Sequence, residues 1–287
     1  MELNTHFDQL WDKYDHFIFD NDGVLADNNV PIDQSPQVLN YLQNVLHKSV
    51  YVLSNYSELT VDLFKETFKN FHLSIPTENI YCSSMLVPKY LRRNYPEVKT
   101  IYYLGLNNLK SQLEKYGYKT IGIEDNNVKL ESYDELIKLY TERKIDAVVV
   151  GYDNNINSFK IYMASLSVSK GAKFLVTNND PSFNVKGRIM PDTGAMVSTI
   201  EISTGRKAEV VGKPSKIPFE LICEDHAIKD KSRILMIGDS VSTDIEGANA
   251  FGIDSCFVGA KKEGINATYF ISSISSLSSP LNFSLNH

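Results

Sequence analysis

The chain has 287 residues, 43% of them apolar and 22% charged, and its 29 basic and 35 acidic side chains leave a formal charge of −6. At roughly 150 residues per domain the length holds about two domains, and the composition is that of a folded globular protein rather than a disordered one. The acidic balance argues against a general nucleic-acid binder, three scattered cysteines argue against a disulfide scaffold or structural zinc site, and no apolar run approaches the about 20 residues that cross a bilayer.

The first sixteen residues lack the basic-then-apolar pattern of a secretory signal, so the expected compartment is cytoplasmic. Taken in chain order, apolar runs alternate with amphipathic stretches. His16-Phe17-Ile18-Phe19 reads as a short buried strand. Val38, Leu39, Leu42, Val45 and Leu46 recur at helical spacing within 36–46. A strand over 49–53, a helix over 60–71, a strand over 80–82 and a helix over 84–94 follow. The middle of the chain reads as strand over 100–104, helices over 107–116 and 134–142, strand over 145–150, helix over 158–169 and strand over 173–177. The last part has a strand over 209–211, a helix near 217–225 and strands over 233–237 and 255–258. The polar run 124–127 reads as a surface loop, and the Ser-rich run 272–279 as a fading terminus or short edge element. This rhythm predicts an α/β fold with a parallel sheet and helices on both faces.

Three of the predicted strands end in polar, turn-forming residues. Phe17-Ile18-Phe19 runs into Asp20-Asn21-Asp22-Gly23, Tyr51-Val52-Leu53 into Ser54-Asn55, and Ile234 to Ile237 into Gly238-Asp239-Ser240-Val241-Ser242-Thr243-Asp244. Each alone reads equally well as a strand-end turn. Open parallel sheets bind ligands beyond the carboxyl ends of their strands, so together these ends would gather Asp20, Asp22, Ser54, Asn55 and Asp239 at one edge. Carboxylates so placed repel one another, and an oxygen-rich set with few histidines suits magnesium better than zinc. Lys213, in Val211-Gly212-Lys213-Pro214, follows a strand. It reads either as a solvated surface lysine or as a fourth member of the group. It is not a Walker A lysine, because Pro214 stands where that motif needs Ser or Thr.

The ordered set Asp-x-Asp-Gly, Ser-Asn, Gly-Lys-Pro and Gly-Asp-x-x-x-Thr-Asp resembles the haloacid dehalogenase-like hydrolase superfamily. Val148 to Asp153, Val176 to Asp180, Asp192 to Met196 and Thr204 to Lys207 narrow the resemblance. They resemble the group containing para-nitrophenylphosphatase, phosphoglycolate phosphatase and pyridoxal phosphate phosphatase. Two departures are Tyr56, where the group often has Asn, and the poorly matching run 124–129.

The resemblance implies a discontinuous Rossmann-like parallel-sheet core, 1–96 plus 206–287, carrying a large inserted α/β cap domain over 97–205. It implies Asp20 as nucleophile, forming an aspartyl-phosphate, and Asp22 as general acid and base. Asp22 needs a raised pKa for that role. Magnesium would be held by Asp20, the Asp22 carbonyl and Asp239, and phosphoryl oxygens by Ser54, the Asn55 amide and Lys213. Asp244 would orient a metal-bound water or Lys213; its other reading is charge compensation at a helix N-terminus. Asp22 favours phosphate esters, since a halide leaving group needs no acid.

A cap excludes bulky macromolecules, so the expected substrate is a small phosphorylated metabolite. The cap residues implied to reach it are Asn179, Asp180, Phe183, Lys186 and Arg188. Each reads equally well as local packing or solvated charge. Phe183 stacking on a ring would favour pyridoxal phosphate. Lys186 or Arg188 on a carboxylate would favour phosphoglycolate. The leading expectation is a magnesium-dependent phosphatase of the phosphoglycolate or para-nitrophenyl phosphate type. The alternatives are a pyridoxal phosphate phosphatase, a phosphomutase, which the large cap weighs against, and a catalytically idle phospho-ligand binder. No nucleic-acid or membrane partner is expected. A homodimer through the cap is implied by the resemblance, with Tyr or Leu side chains in 161–168 as its candidates; the same residues read equally as cap core.

Overall fold

The computed structural model describes residues 8–27, 30–56, 61–71, 75–130 and 132–277. The chain divides into two units, one of Met1–Ser54, Val61–Tyr81 and Lys213–His287, the other of Asn55–Thr60 and Cys82–Gly212. This division differs from the boundaries expected at 97 and 205. Helix Ser83–Asn94 packs on helix Asn107–Lys115, and it reaches the far end of the second unit through Glu209. That carboxylate accepts from the hydroxyls of Tyr90 and Tyr95, which draws 83–96 and 206–212 into the second unit.

In the first unit, six strands lie in the order Tyr269–Ile271, Asp254–Val258, Ile234–Gly238, His16–Phe19, Ser49–Ser54 and Ile80–Cys82. The pairings from the first to the fifth are all parallel. His16 pairs with both Ile234 and Ser49, so the three central strands start level, and their ends lie within two residues of one another. Their apolar runs are continuous because both faces are covered; Phe17, Ile18 and Phe19 are each wholly buried. At the starting edge, Asp15 accepts from Arg233 Nε at 2.7 Å, Arg233 Nη2 at 2.9 Å and Lys48 Nζ at 3.0 Å. One carboxylate thus ties together the residues that precede the three central strands.

The second unit has a five-stranded sheet, in the order Glu209–Val210, Lys173–Val176, Ala147–Val150, Thr100–Leu104 and Lys119–Ile121. Every pairing in it is parallel. Its core joins Tyr102, Val148, Phe159, Met163, Phe174 and Val197. Two ion pairs lie there, one wholly and one partly buried. Asp153 accepts from Lys160, both side chains being essentially inaccessible. Asp125 accepts from Arg143 Nη2 at 3.0 Å and from Tyr102 at 2.9 Å.

Asp125 corrects the expectation of a plain surface loop over 124–127. Ile123–Asp125 is a 3₁₀ turn, and Asp125 is wholly buried. The polarity of the run reflects the buried Lys160 and the half-buried Arg143, which need acceptors, rather than contact with water alone. Asn126 Oδ1 likewise accepts from the buried Lys160 at 2.8 Å. Several elements were not expected from the sequence: strand Lys119–Ile121, helix Thr193–Thr204, and an antiparallel hairpin of Ser182–Val185 with Arg188–Pro191. Helix Thr193–Thr204 starts where Asp192 Oδ1 accepts from the Thr193 amide at 2.6 Å and ends at Gly205, whose φ is 67°. In the Ser-rich run, Ile274 and Leu277 are buried; residues 278 and 279 lie outside the described ones, as does residue 60 of the expected 60–71 helix. Among the described residues no helix is long and apolar enough to cross a membrane.

Candidate active site

The adjoining strand ends of the first unit carry the site. Asp20 continues the strand His16–Phe19 by donating its amide to Ile237 O at 2.9 Å. The chain then turns tightly: Asn21 O accepts from the amides of Leu25 at 2.8 Å and Ala26 at 2.9 Å. Gly23 makes this turn with φ 84°, and a Cβ there would lie 2.1 Å from Asp239 Oδ2. Only glycine fits both the backbone and the space.

On the neighbouring strand, Gly238 and Asp239 open a wide helical turn, Val241–Ile245. Ser240 N donates to Asp244 Oδ2 at 3.0 Å, drawing that carboxylate back under the strand end. A Cβ on Gly238 would lie 2.2 Å from the same oxygen, so the glycine is what admits Asp244. Lys213 is joined to Pro214 by a cis peptide bond. Its ammonium donates to Asp20 Oδ1 at 2.6 Å, Asp244 Oδ1 at 2.7 Å and Leu53 O at 2.9 Å. Lys213 and Asp244 are buried, and Asp20 nearly so. Of the two readings of Lys213, solvated or part of the site, the geometry gives the second.

One carboxylate oxygen each from Asp20, Asp239 and Asp244 lies within 4.8 Å of the others, with Asp239 the most open to solvent of the three. Asp22 adds a fourth carboxylate: Ser54 Oγ donates to its Oδ2 at 3.2 Å, and Asn21 Nδ2 to its Oδ1 at 3.1 Å. Four carboxylates face one ammonium. Burial, then repulsion from Asp244, holds Asp20 well above the usual carboxylate range, with Lys213 opposing. The same two causes push Asp239 up to about 6. Burial raises Asp22 also, while Ser54, Lys213 and Asn21 pull it down. Burial alone would lower the pKa of Lys213; Asp20 and Asp244 outweigh it and hold the ammonium above its ordinary value. An excess of negative charge carried only by oxygen fits a hard divalent cation such as magnesium.

Asn55, next to Ser54 in the chain, belongs to the second unit. Its side-chain amide donates to Asp180 Oδ2 at 3.0 Å, and its carbonyl accepts from Ser83 Oγ at 2.8 Å and Asn178 Nδ2 at 3.0 Å. The other residues implied to reach substrate are spread along the same unit. Asn179 is exposed. Phe183 packs edge-on against Tyr152 with ring centroids 5.6 Å apart. Lys186 and Gly187, with φ of 51° and 78°, form the two-residue hairpin tip, and Arg188 stands exposed beyond them. In 161–168, Met163, Ala164 and Val168 are core, while Tyr162 and Leu166 line a cavity of about 380 Å³ with Tyr133, Leu136 and Ile137.

Sequence reasoning missed Asn21, Ser240, Ser83 and Asn178, which hold the reactive groups rather than supply them. The one sequence signal was position: each lies within two residues of a strand end.

Comparisons with known proteins agree with this geometry. The family model described as haloacid dehalogenase-like hydrolase matches residues 17–119, and a second, HAD-hydrolase-like model matches 210–269. The chain is 30% identical over 247 residues to phosphoglycolate phosphatase 2 of Arabidopsis thaliana, covering 84% of this chain and 81% of that one. It is 31% identical over 242 residues to the chloroplastic phosphoglycolate phosphatase 1A of the same plant; the match covers 83% of this chain and 66%, just under two thirds, of that protein. The crystal structure of a 4-nitrophenylphosphatase from Thermotoga maritima superposes with a TM-score of 0.79 at 24% identity, over 94% of this chain and 98% of that one, which bears out the α/β fold with its inserted cap. The motifs, the strand-end cluster and these matches together establish that the chain belongs to the haloacid dehalogenase-like hydrolase family, among relatives that are phosphatases.

Proposed function

We propose that the chain is a magnesium-dependent phosphatase that hydrolyses small phosphate monoesters through an aspartyl-phosphate on Asp20. The observation that carries this reading is the buried Asp20–Lys213–Asp244 group, set beside Asp22 and Asp239 at adjoining strand ends. Lys213 favours the ionised form of Asp20, the form that attacks phosphorus. As the bond from the new acyl oxygen to phosphorus forms, the ester P–O bond breaks. Asp22 gives its proton to the departing oxygen. Asp22 then takes a proton from water, which attacks the same phosphorus, releases inorganic phosphate and restores Asp20.

Ser54 Oγ, the Asn55 amide and Lys213 would bind the phosphoryl oxygens that carry the spreading charge. Asp20, the Asp22 carbonyl and Asp239 would hold magnesium, which when bound polarises the phosphoryl group and offsets the crowded carboxylates. Asp244, with one oxygen on Lys213 and the other on Ser240, orients the lysine.

The substrate class we infer is phosphoglycolate or a simple alkyl or aryl phosphate. The exposed cations Lys186 and Arg188 support an anionic small substrate, and the phosphoglycolate phosphatase relatives point the same way. The test is phosphate release with magnesium from phosphoglycolate, pyridoxal phosphate, sugar phosphates and para-nitrophenyl phosphate. Turnover that Asp20→Asn removes supports the reading. Binding of phosphate without turnover of any ester turns it toward a catalytically idle binder.

A further inference from the structure

Resting on the phosphatase reading, we propose that Asp180 is a positioning residue: it fixes Asn55, whose amide is assigned to the phosphoryl group, and does not itself contact substrate. The residue has two soft torsions, and both ends of it are clamped. The side chain donates to Asp180 Oδ2 at 3.0 Å, and the carbonyl accepts from Ser83 Oγ at 2.8 Å and Asn178 Nδ2 at 3.0 Å. With side chain and carbonyl held, the direction of the Asn55 N–H is held too.

Asp180 is fixed in turn. Its amide donates to Asn178 Oδ1 at 3.1 Å, and its carbonyl accepts from the Gly194 amide at 2.9 Å. A Cβ on Gly194 would lie 2.6 Å from Asn179 O and 2.8 Å from Asp180 O, so the backbone of 179–180 sits directly against the start of helix Thr193–Thr204. A site residue is held accurately when its supporting groups are themselves locked, and this chain of contacts runs from a helix start to Asn55 without a loose link.

The chemistry of the side chain points the same way. A carboxylate facing a phosphorylated, anionic substrate would repel it. The same carboxylate accepting from a neutral amide makes a charge-assisted hydrogen bond, the stronger kind. Asp180 is therefore better suited to grip Asn55 than to read the substrate.

The test compares wild type with Asp180→Ala, Asp180→Asn, Asn55→Asp and the exchange Asn55→Asp/Asp180→Asn, using para-nitrophenyl phosphate, phosphoglycolate and inhibition by inorganic phosphate. Misplacing a binding group by about 1 Å costs up to about 100-fold. Asp180→Ala is expected to lose roughly 10- to 100-fold in kcat/KM by the same factor on both substrates, and to weaken phosphate inhibition in parallel. Asp180→Asn, which still offers an acceptor, is expected to lose less. Asn55→Asp sets two carboxylates against each other and is expected to be the worst single variant. The exchange restores a donor and an acceptor with their roles reversed, so it should recover activity above both Asp180→Ala and Asn55→Asp, the positive coupling of residues in contact. A fold defect alone would not be repaired by that exchange. The inference is overturned if Asp180→Ala alters KM for one substrate only and leaves phosphate inhibition unchanged, or if the exchange is no better than Asn55→Asp. A wild type that turns over no ester overturns the phosphatase reading, and the inference falls with it.

Discussion

Lys213 and Asp244 are bonded at 2.7 Å with both side chains almost wholly inside the protein. Lys213 also holds Asp20, so one ammonium balances two buried carboxylates. Removing one partner of a buried pair strands the other charge and costs about 3–5 kcal/mol. Lys213→Met is therefore expected to destabilise the protein by about that amount, read as the shift in a urea unfolding curve, as well as to abolish turnover. An unchanged midpoint would mean that the carboxylates had simply taken up protons.

Asp20→Asn should separate stability from activity. It removes one of several mutually repelling carboxylates while Lys213 keeps its bond to Asp244, so the variant measured in a chelator should melt no lower than wild type. Turnover should fall by about 10⁴-fold or more, the scale of losing a nucleophile. A variant that melts well below wild type would show that Asp20 is needed for folding.

Magnesium should stabilise the chelator-treated protein through Asp239. Binding to the folded state alone gives about 2.7 kcal/mol at roughly 100 times the dissociation constant, visible as a rise in melting temperature. Asp239→Asn should lose most of that rise while melting normally in chelator. An equal rise in both proteins would place the ion elsewhere.

The edge of the sheet away from the site should show acid sensitivity. The Arg233 guanidinium, against a smaller opposing effect of burial and with help from Lys48, lowers Asp15 to about 2. The unfolded value is about 3.9. The folded carboxylate is the depressed one, so its contribution is fully present above about 3.9 and disappears as pH falls through about 2. Asp15 is 45% exposed and solvent screens the pair, which keeps the effect to about 1 kcal/mol or less. Asp15→Asn should lower the melting temperature at neutral pH, with the gap closing toward the acid end. A gap independent of pH would assign the loss to packing.

How far the sequence alone reaches is clear from particular residues. Asp20, Ser54 and Asp239 were readable because each follows a short apolar run, and parallel strands put such ends together. The grouping of Lys213 with Asp20 rested on residues 193 positions apart, which no local pattern encodes; only the resemblance supplied it. Asp125 misled because burial of a carboxylate depends on Arg143 and Tyr102, whose approach is set by the tertiary fold. The hairpin Ser182–Val185 with Arg188–Pro191 escaped notice because its strands are only four residues each and almost wholly exposed: Ser182–Val185 alternates polar and apolar, but Arg188–Pro191 does not. The expected boundary at 97 differs from the division at 82 because helix Ser83–Asn94 follows a strand in the ordinary α/β rhythm, and nothing local shows that Tyr90 and Tyr95 grip Glu209.

The convergence on Asn55 also has a consequence at the level of the gene. Within the second unit, the carbonyl of Asn55 is bonded to Ser83, and a Cβ on Gly212 would lie 2.7 Å from Asn55 Oδ1. The points where the polypeptide enters this unit, returns to it and leaves it are thus neighbours in space. Segments whose ends lie close together can be inserted or exchanged with little disturbance to their host. The second unit has the anatomy of a transplantable cassette: its main segment, 82–212, begins and ends at neighbouring points, so recombination there would exchange it as a block while the strand ends bearing Asp20, Asp239 and Lys213 remain in their own reading frame.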